Sequence, residues 1–224
     1  MKYLVVVAHP DDEVLGAGAT IQKLVSEGNE VAVATMSSNA DARANISETL
    51  ENDSDSAMKI LGVKKKYNEY FPNIKMNTVP HLDLVQFVEK CIIDFGAEVI
   101  ITHHPSDTNN DHVMTSYAVQ AASRLFQRRD DVEELKGLWY MEVPSSTDWT
   151  LDLSANGFKP NCYVQVGEEG VETKLKALAA YRGVMRPYPH PRSSESIKGL
   201  AVLRGSESGC KYAEAFQVAI MRMV

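Results

Sequence analysis

An α/β fold, a three-layer α/β/α sandwich around a mostly parallel sheet, is what this sequence predicts, and two observations predict it. Strand-like and helix-like segments alternate through the first 130 residues, the rhythm of right-handed strand–helix–strand crossovers. The strand-like segments are short, unbroken apolar runs rich in β-branched residues, as befits strands covered on both faces.

The elements follow in order. Tyr3 to Ala8 is a buried strand, and residues 13–27 place Leu15, Ile21, Leu24 and Val25 at helical spacing before Gly28, a natural stop. Glu30 to Met36 is a second strand, and the polar stretch from Ser37 to Asn45 is a loop. A helix over 47–61 ends before Gly62, with Lys64 to Lys66 as a solvated turn and a short strand near 67–70. A helix over 81–95 stops at Gly96, Glu98 to Thr102 is the next buried strand, and 111–129 is a helix. Beyond Arg129 the rhythm loosens. Gly137 to Glu142 and Asn161 to Val166 read as strands, and Glu168 to Tyr181 as a helix. Arg186-Pro-Tyr-Pro-His-Pro-Arg192 is excluded from regular structure by its three prolines. Ser193 to Ser196 opens another helical pattern as a cap. No repeat or long linker divides the chain, so residues 1–224 are read as one domain.

Composition narrows the function. With 44% hydrophobic residues the chain can bury an ordinary core, and 23 basic against 30 acidic residues leave a net charge of −7. That balance argues against a nucleic-acid partner, which favours a basic face. The longest apolar run is far too short to span a membrane. No charged-then-apolar leader opens the chain. Cys91, Cys162 and Cys210 are odd in number and far apart, so they build no disulfide framework and suit a reducing cytoplasm.

The chemistry sits just past two strands, where open parallel sheets place their ligands. After the first strand comes Ala8-His9-Pro10-Asp11-Asp12-Glu13, in which His9 and Asp12 lie three apart across a proline-stiffened turn. After the strand at 98–102 comes a polar run ending in Asp111-His112. Taken singly, these acids could serve as helix caps. Their convergence at one end of the sheet points instead to a cation site. Two imidazoles and one carboxylate suit Zn2+, and also Fe2+, Mn2+ or Co2+, with coordination positions left open for water and substrate. Asp11, beside a ligand but not itself one, is placed to act as general base. Gly16-Ala-Gly18 is not a dinucleotide loop, because Ile21 replaces the third glycine and the run lies inside a helix. Close helix packing explains it.

These residues carry a resemblance. His9-Pro-Asp-Asp-Glu13 behind an apolar strand, then His104-Pro-x-Asp107-x-x-x-Asp111-His112, is similar to the PIG-L/LmbE family. Lys176-x-x-Ala179-x-Tyr181-Arg, Pro189-His-Pro-Arg-Ser193 and Tyr212-Ala-Glu-Ala-Phe216 resemble its later segments, so the similarity spans nearly the whole chain. The family comprises zinc-dependent N-deacetylases on a Rossmann-like sheet, acting largely on N-acetylglucosamine conjugates. The resemblance implies His9, Asp12 and His112 as zinc ligands, Asp11 as base, Asp111 as a group orienting a neighbour and Arg43 as a substrate-facing cation. It also implies an N-acetylated amino-sugar conjugate as the small-molecule partner, and a homo-oligomer. One position departs: where many members have a histidine that stabilises the tetrahedral intermediate, this chain has Asn109. Its amide can still donate to an oxyanion, and His190, assisted by Tyr188, is the other candidate. Arg192 can fork onto a substrate carboxylate or phosphate, or pair with Glu195. Two rival readings stay open, a two-metal phosphoesterase and a sugar-binding relative with weak turnover.

Overall fold

In the computed structural model, which describes residues 1–38, 47–150 and 157–223, the strands are β1 (Lys2–Val7), β2 (Glu30–Thr35), β3 (Lys65–Asn68), β4 (Val99–His103), β5 (Gly137–Met141), β6 (Cys162–Gln165) and β7 (Ala213–Met221). The helices are α1 (Asp12–Ser26), α2 (Ser47–Leu61), α3 (His81–Phe95), α4 (Asn110–Ala122), α5 (Gly167–Ala180) and α6 (Ser194–Ser208). The sheet order is β3-β2-β1-β4-β5-β7-β6. β1 to β5 are mutually parallel, and β7 runs antiparallel to both its neighbours.

Side chains of β1 alternate between two cores, as strand geometry requires. Tyr3, Val5 and Val7 join residues of α1, α2 and α5, while Leu4, Val6 and Ala8 join residues of α3 and α4. The helices thus cover both faces, as the alternating pattern predicts. The chain winds away from β1 in opposite directions, to β2 and β3 on one side and to β4 and β5 on the other. The carboxyl ends of β1 and β4 flank the crevice this reversal opens.

Three local readings are corrected. Lys65 and Lys66 lie in β3 rather than in a turn, and reach Asp94 and Asp55 across an edge strand where lysines keep the rim solvated. The helix read over 111–129 ends at Ala122, where the Ser123 hydroxyl donates to the Gln120 carbonyl, and a short 3-10 turn follows at Leu125–Gln127. β7, unassigned from pattern, threads between β5 and β6.

The two glycines inside α1 answer to close packing. A Cβ on Gly16 would overlap Met141, and one on Gly18 would crowd Lys174. Lys174 and Glu214, both buried, form an ion pair at 2.6 Å against this helix. The Lys174 ammonium donates to the Leu15 carbonyl, and Glu214 accepts from the backbone N–H groups of Ala19 and Thr20. Each charge in the pair is therefore also satisfied by backbone, the condition under which a buried pair is tolerated.

Candidate metal and active site

β1 ends at Val7, and the chain turns sharply to start α1 at Asp12. The turn is made by Asp11 with φ 106°, a left-handed conformation costly for any residue bearing a Cβ. Glu13 holds it: its Oε2 accepts from the Asp11 N–H at 3.1 Å, and its Oε1 accepts from the Tyr181 hydroxyl at 2.6 Å. Asp11, Asp12 and Glu13 are all buried. Ile74 and Ser145 are the other non-glycine residues with positive φ among those described, and both contact this same region.

The structure brings His9, Asp12 and His112 together. Asp12 Oδ2 lies 3.3 Å from His9 Nδ1 and 3.2 Å from His112 Nε2. For N and O ligands bonded to zinc at the usual lengths, the edge of a tetrahedron is about 3.3 Å, so these donors stand at ligand spacing. The opposite nitrogen of each imidazole is anchored. His9 Nε2 faces Asp111 at 3.1 Å, and His112 Nδ1 faces Asp107 at 3.2 Å and the Ser146 hydroxyl at 3.3 Å. A carboxylate on the far nitrogen fixes the tautomer and turns the near lone pair inward, the usual support of a metal-binding histidine. Asp111 is itself fixed by N–H groups of Ile74 and Met76 at 2.6 and 3.0 Å. Asp107 accepts from the Ser146 and Thr147 hydroxyls.

Charge follows this geometry. Burial disfavours the imidazolium at His112, but Asp12 and Asp107 overcome it and raise its pKa to about 10. Burial likewise opposes charge at His9, and Asp111 and Asp12 raise that pKa to about 9. Burial works against ionised Asp12, yet the histidines around it hold its carboxyl well below the usual range. The region therefore holds concentrated, paired charge that a dication can replace.

Beneath His112 lies His103, stacked on it with ring centroids 3.8 Å apart. Burial first, then the neighbouring His112, push the His103 pKa down to about 3. Its Nε2 accepts from the Ala8 N–H at 2.9 Å, tying β4 to β1 just below the site. His103, Asp107 and His112 make a second acid–imidazole group. His103 Nε2 is engaged by the Ala8 N–H and Asp107 by the two hydroxyls, while His103 Nδ1 is buried without a hydrogen-bond partner. Through its stacking and the Asp107 contact the group supports His112 of the first group. His104 is also engaged elsewhere, with Gln217 and the Ser106 N–H.

The remaining candidates are placed as follows. Asn109 caps α4, its side-chain oxygen accepting from the Asp111 N–H at 2.9 Å, which leaves its amide group to donate. Arg192 does not pair with Glu195, which lies at the first turn of α6 beside Ser194. Instead its Nη1 is 3.4 Å from Asp11 Oδ2 and its Nε donates to the Ser145 hydroxyl at 2.7 Å. The cause is the turn at 186–193, which folds back so that Arg192 N–H meets His190 Nδ1 and Arg186 N–H meets the Arg192 carbonyl. Tyr188 is exposed on that turn. Arg43 falls outside the described residues. Asp107 and His103 received no role from sequence alone, though Asp107 stands in the quoted motif. The signal available for both was their position within ten residues of His112 at a strand's carboxyl end.

A family description for GlcNAc-PI de-N-acetylases, PIG-L, matches residues 4–123, more than half of the 224-residue chain. The chain belongs to the PIG-L family. It is accordingly an N-deacetylase, a hydrolase of amide C–N bonds. This PIG-L protein is 27% identical over 184 residues to the uncharacterized deacetylase YaiS of Escherichia coli K12, covering 80% of this chain and 89% of YaiS. Two solved structures share its fold. The N,N'-diacetylchitobiose deacetylase of Pyrococcus horikoshii has a TM-score of 0.76 at 21% identity, with 98% of this chain and 84% of that one covered. GalB of Pseudomonas putida KT2440, a 4-carboxy-2-hydroxymuconate hydratase, has a TM-score of 0.81 at 18% identity, with 100% and 98% covered. The same scaffold thus carries a hydratase as well as a deacetylase, and the substrate has to be argued from the site.

The Glu13 support offers a direct test of the turn. Burial pushes the Glu13 pKa up from 4.5 to about 8, so its proton is retained on folding over the range where the unfolded chain loses it. The stability this contributes is full below pH 4.5 and lost as pH rises toward 8. Glu13→Gln keeps the shape, with its oxygen accepting from Asp11 N–H and its amide donating to Tyr181. In thermal unfolding of the metal-free protein, its Tm relative to wild type is expected to climb steadily from pH 5 to pH 8. A constant offset across that range would mean that Glu13 ionises normally.

Proposed function

We propose that this chain removes the acetyl group from an N-acetylglucosamine-type sugar conjugate, using a dication held by His9, Asp12 and His112. The observation that carries the reading is the donor triangle around Asp12 Oδ2, with the far nitrogen of each histidine secured by its own carboxylate. The donors favour zinc and also accept Fe2+, Mn2+ or Co2+. Such an ion polarises a carbonyl and lowers the pKa of a bound water from about 15.7 to about 7.

The chain's own groups do the rest. Asp11, one residue before Asp12, takes the proton of the attacking water at its carboxylate and delivers it to the departing amine nitrogen. The Arg192 guanidinium and the Glu13-held backbone fix that carboxylate. The Asn109 amide and the His190 imidazole are the two candidate donors to the developing oxyanion. Asp111 and Asp107 keep the ligand imidazoles oriented throughout.

The two-metal phosphoesterase reading is less well supported, because the second acid–imidazole group shares His112 with the first and its Asp107 carboxylate already accepts from two hydroxyls. Free thiols at Cys91, Cys162 and Cys210 favour a reducing compartment such as the cytoplasm. No helix among the described residues is long and apolar enough to cross a membrane. The test is a panel of N-acetylated amino-sugar conjugates, supplied with zinc and assayed for free amine and acetate. Stoichiometric release of both is expected. Phosphate release from sugar phosphates without acetate release would overturn the reading.

A further inference from the structure

Two large aromatic residues are left facing solvent next to this site. Trp149 is 50% exposed and Tyr188 is 68% exposed. They border an open hollow of about 630 Å³, together with Arg186, His190 and the three prolines of the 186–192 turn. The hollow is prebuilt: His190 N–H donates to the Pro187 carbonyl, Ser193 N–H donates to the His190 carbonyl, and Arg186 N–H donates to the Arg192 carbonyl. Trp149 meets the His190 ring edge-on, with centroids 5.8 Å apart. His190 Nδ1 accepts from Arg192 N–H, so its Nε2–H is left to donate. Arg192 in turn reaches Asp11. The hollow therefore adjoins the catalytic carboxylate through a single residue.

Aromatic faces bordered by an imidazole N–H and a guanidinium match a ligand that has an apolar face and a polar perimeter. A pyranose has both: axial C–H bonds form one face, and hydroxyls ring the edge. A lipid tail would leave Arg186 and His190 without partners. We propose that this hollow, with Trp149 as its platform, is a subsite for a second pyranose ring joined glycosidically to the N-acetylated one. The inference rests on the sugar-conjugate reading above and deepens it. The second ring stacks on Trp149 or Tyr188, while Arg186 donates to its hydroxyls.

The chain has only two tryptophans, Trp149 and the strand residue Trp139, so binding is readable without turnover. Metal-free wild-type protein is titrated with N,N'-diacetylchitobiose, N-acetylglucosamine and octyl β-glucoside while tryptophan emission is followed. The disaccharide is expected to shift and quench the emission at concentrations where the monosaccharide does not, and Trp149→Phe should change the amplitude. In the zinc-loaded enzyme, Trp149→Ala should raise KM for the disaccharide roughly 5- to 10-fold more than for the monosaccharide, the size of one aromatic stacking contact. Tyr188→Ala, on the exposed turn, supplies a second, independent variant. Equal effects of Trp149→Ala on both substrates, or an emission change caused by octyl β-glucoside but not by the disaccharide, would overturn the subsite. Emission changes with the disaccharide but no acetate release from any sugar would leave the subsite standing and overturn the deacetylase substrate class instead.

Discussion

Asp11→Asn is expected to lower kcat for acetyl release by about 10²- to 10⁴-fold, the usual contribution of a positioned proton acceptor, while bound metal stays at its wild-type ratio. The argument begins at the backbone. Asp11 holds φ 106° at the junction of β1 and α1, and asparagine is among the few residues that tolerate the left-handed region nearly as well as aspartate. The Asp11 N–H that Glu13 accepts is backbone and survives the change. The Arg192 contact also survives in part, because the carboxamide oxygen can take the place of Oδ2. Asp12, His9 and His112 are untouched, so the donor triangle is preserved. What disappears is the ability to accept a proton from water. Kinetics, elemental analysis and thermal unfolding on one preparation separate these effects. Near-normal turnover with full metal would remove Asp11 from the role of base. Loss of metal along with activity would make it a support for Asp12.

Much of this arrangement was legible in the sequence, because it rests on short-range signals. Unbroken apolar runs such as Tyr3 to Ala8 predict strands covered on both faces, and the position of His9-Pro-Asp-Asp beyond such a run predicts a place at the sheet's carboxyl edge. The juxtaposition of His9 with His112, about a hundred residues apart, follows once β1 and β4 are neighbours. Three features were not legible, each for a physical reason. β7 is antiparallel and carries Glu214 into a buried pair with Lys174, so its sequence does not show the uniform apolar run of a buried parallel strand. Asp107 reads as a loop acid until the Ser146 and Thr147 hydroxyls, some forty residues on, close around it. Arg192 has a nearby acid in Glu195, and only the folded turn at 186–193 directs it to Asp11 instead. Sequence spacing reports what one element presents. It does not report which side chain a distant loop brings to meet it.

Zinc binding to the metal-free protein near pH 7 is expected to release about two protons, and its affinity should rise roughly 100-fold per pH unit between pH 6 and pH 8. Before metal binds, burial opposes charge on both imidazoles. The surrounding carboxylates win, raising the pKa of His9 to about 9 and of His112 to about 10. Both therefore carry a proton at neutral pH that a metal must displace, since only the neutral ring offers a lone pair. The carboxylate side adds nothing to the proton count, because the histidines hold Asp12 well below its usual range. The same shifts set a stability trend of fixed sign. With folded pKa values above the ordinary 6.5, the imidazoliums stabilise the metal-free fold fully below pH 6.5, and that contribution is lost as pH climbs through 9 to 10. Over that interval the metal-free protein loses stability while the metal-loaded one gains affinity, so the gap between their melting temperatures widens with pH. Calorimetric titration in buffers of different ionisation enthalpy counts the protons, and melting curves with and without zinc measure the gap. Asp107→Asn should weaken zinc by about 10- to 100-fold by loosening His112 from behind, and His112→Ala should abolish stoichiometric binding. Titration heats independent of the buffer would mean that the two imidazoles are already neutral, and that the carboxylates around them are not holding the charge that the geometry assigns.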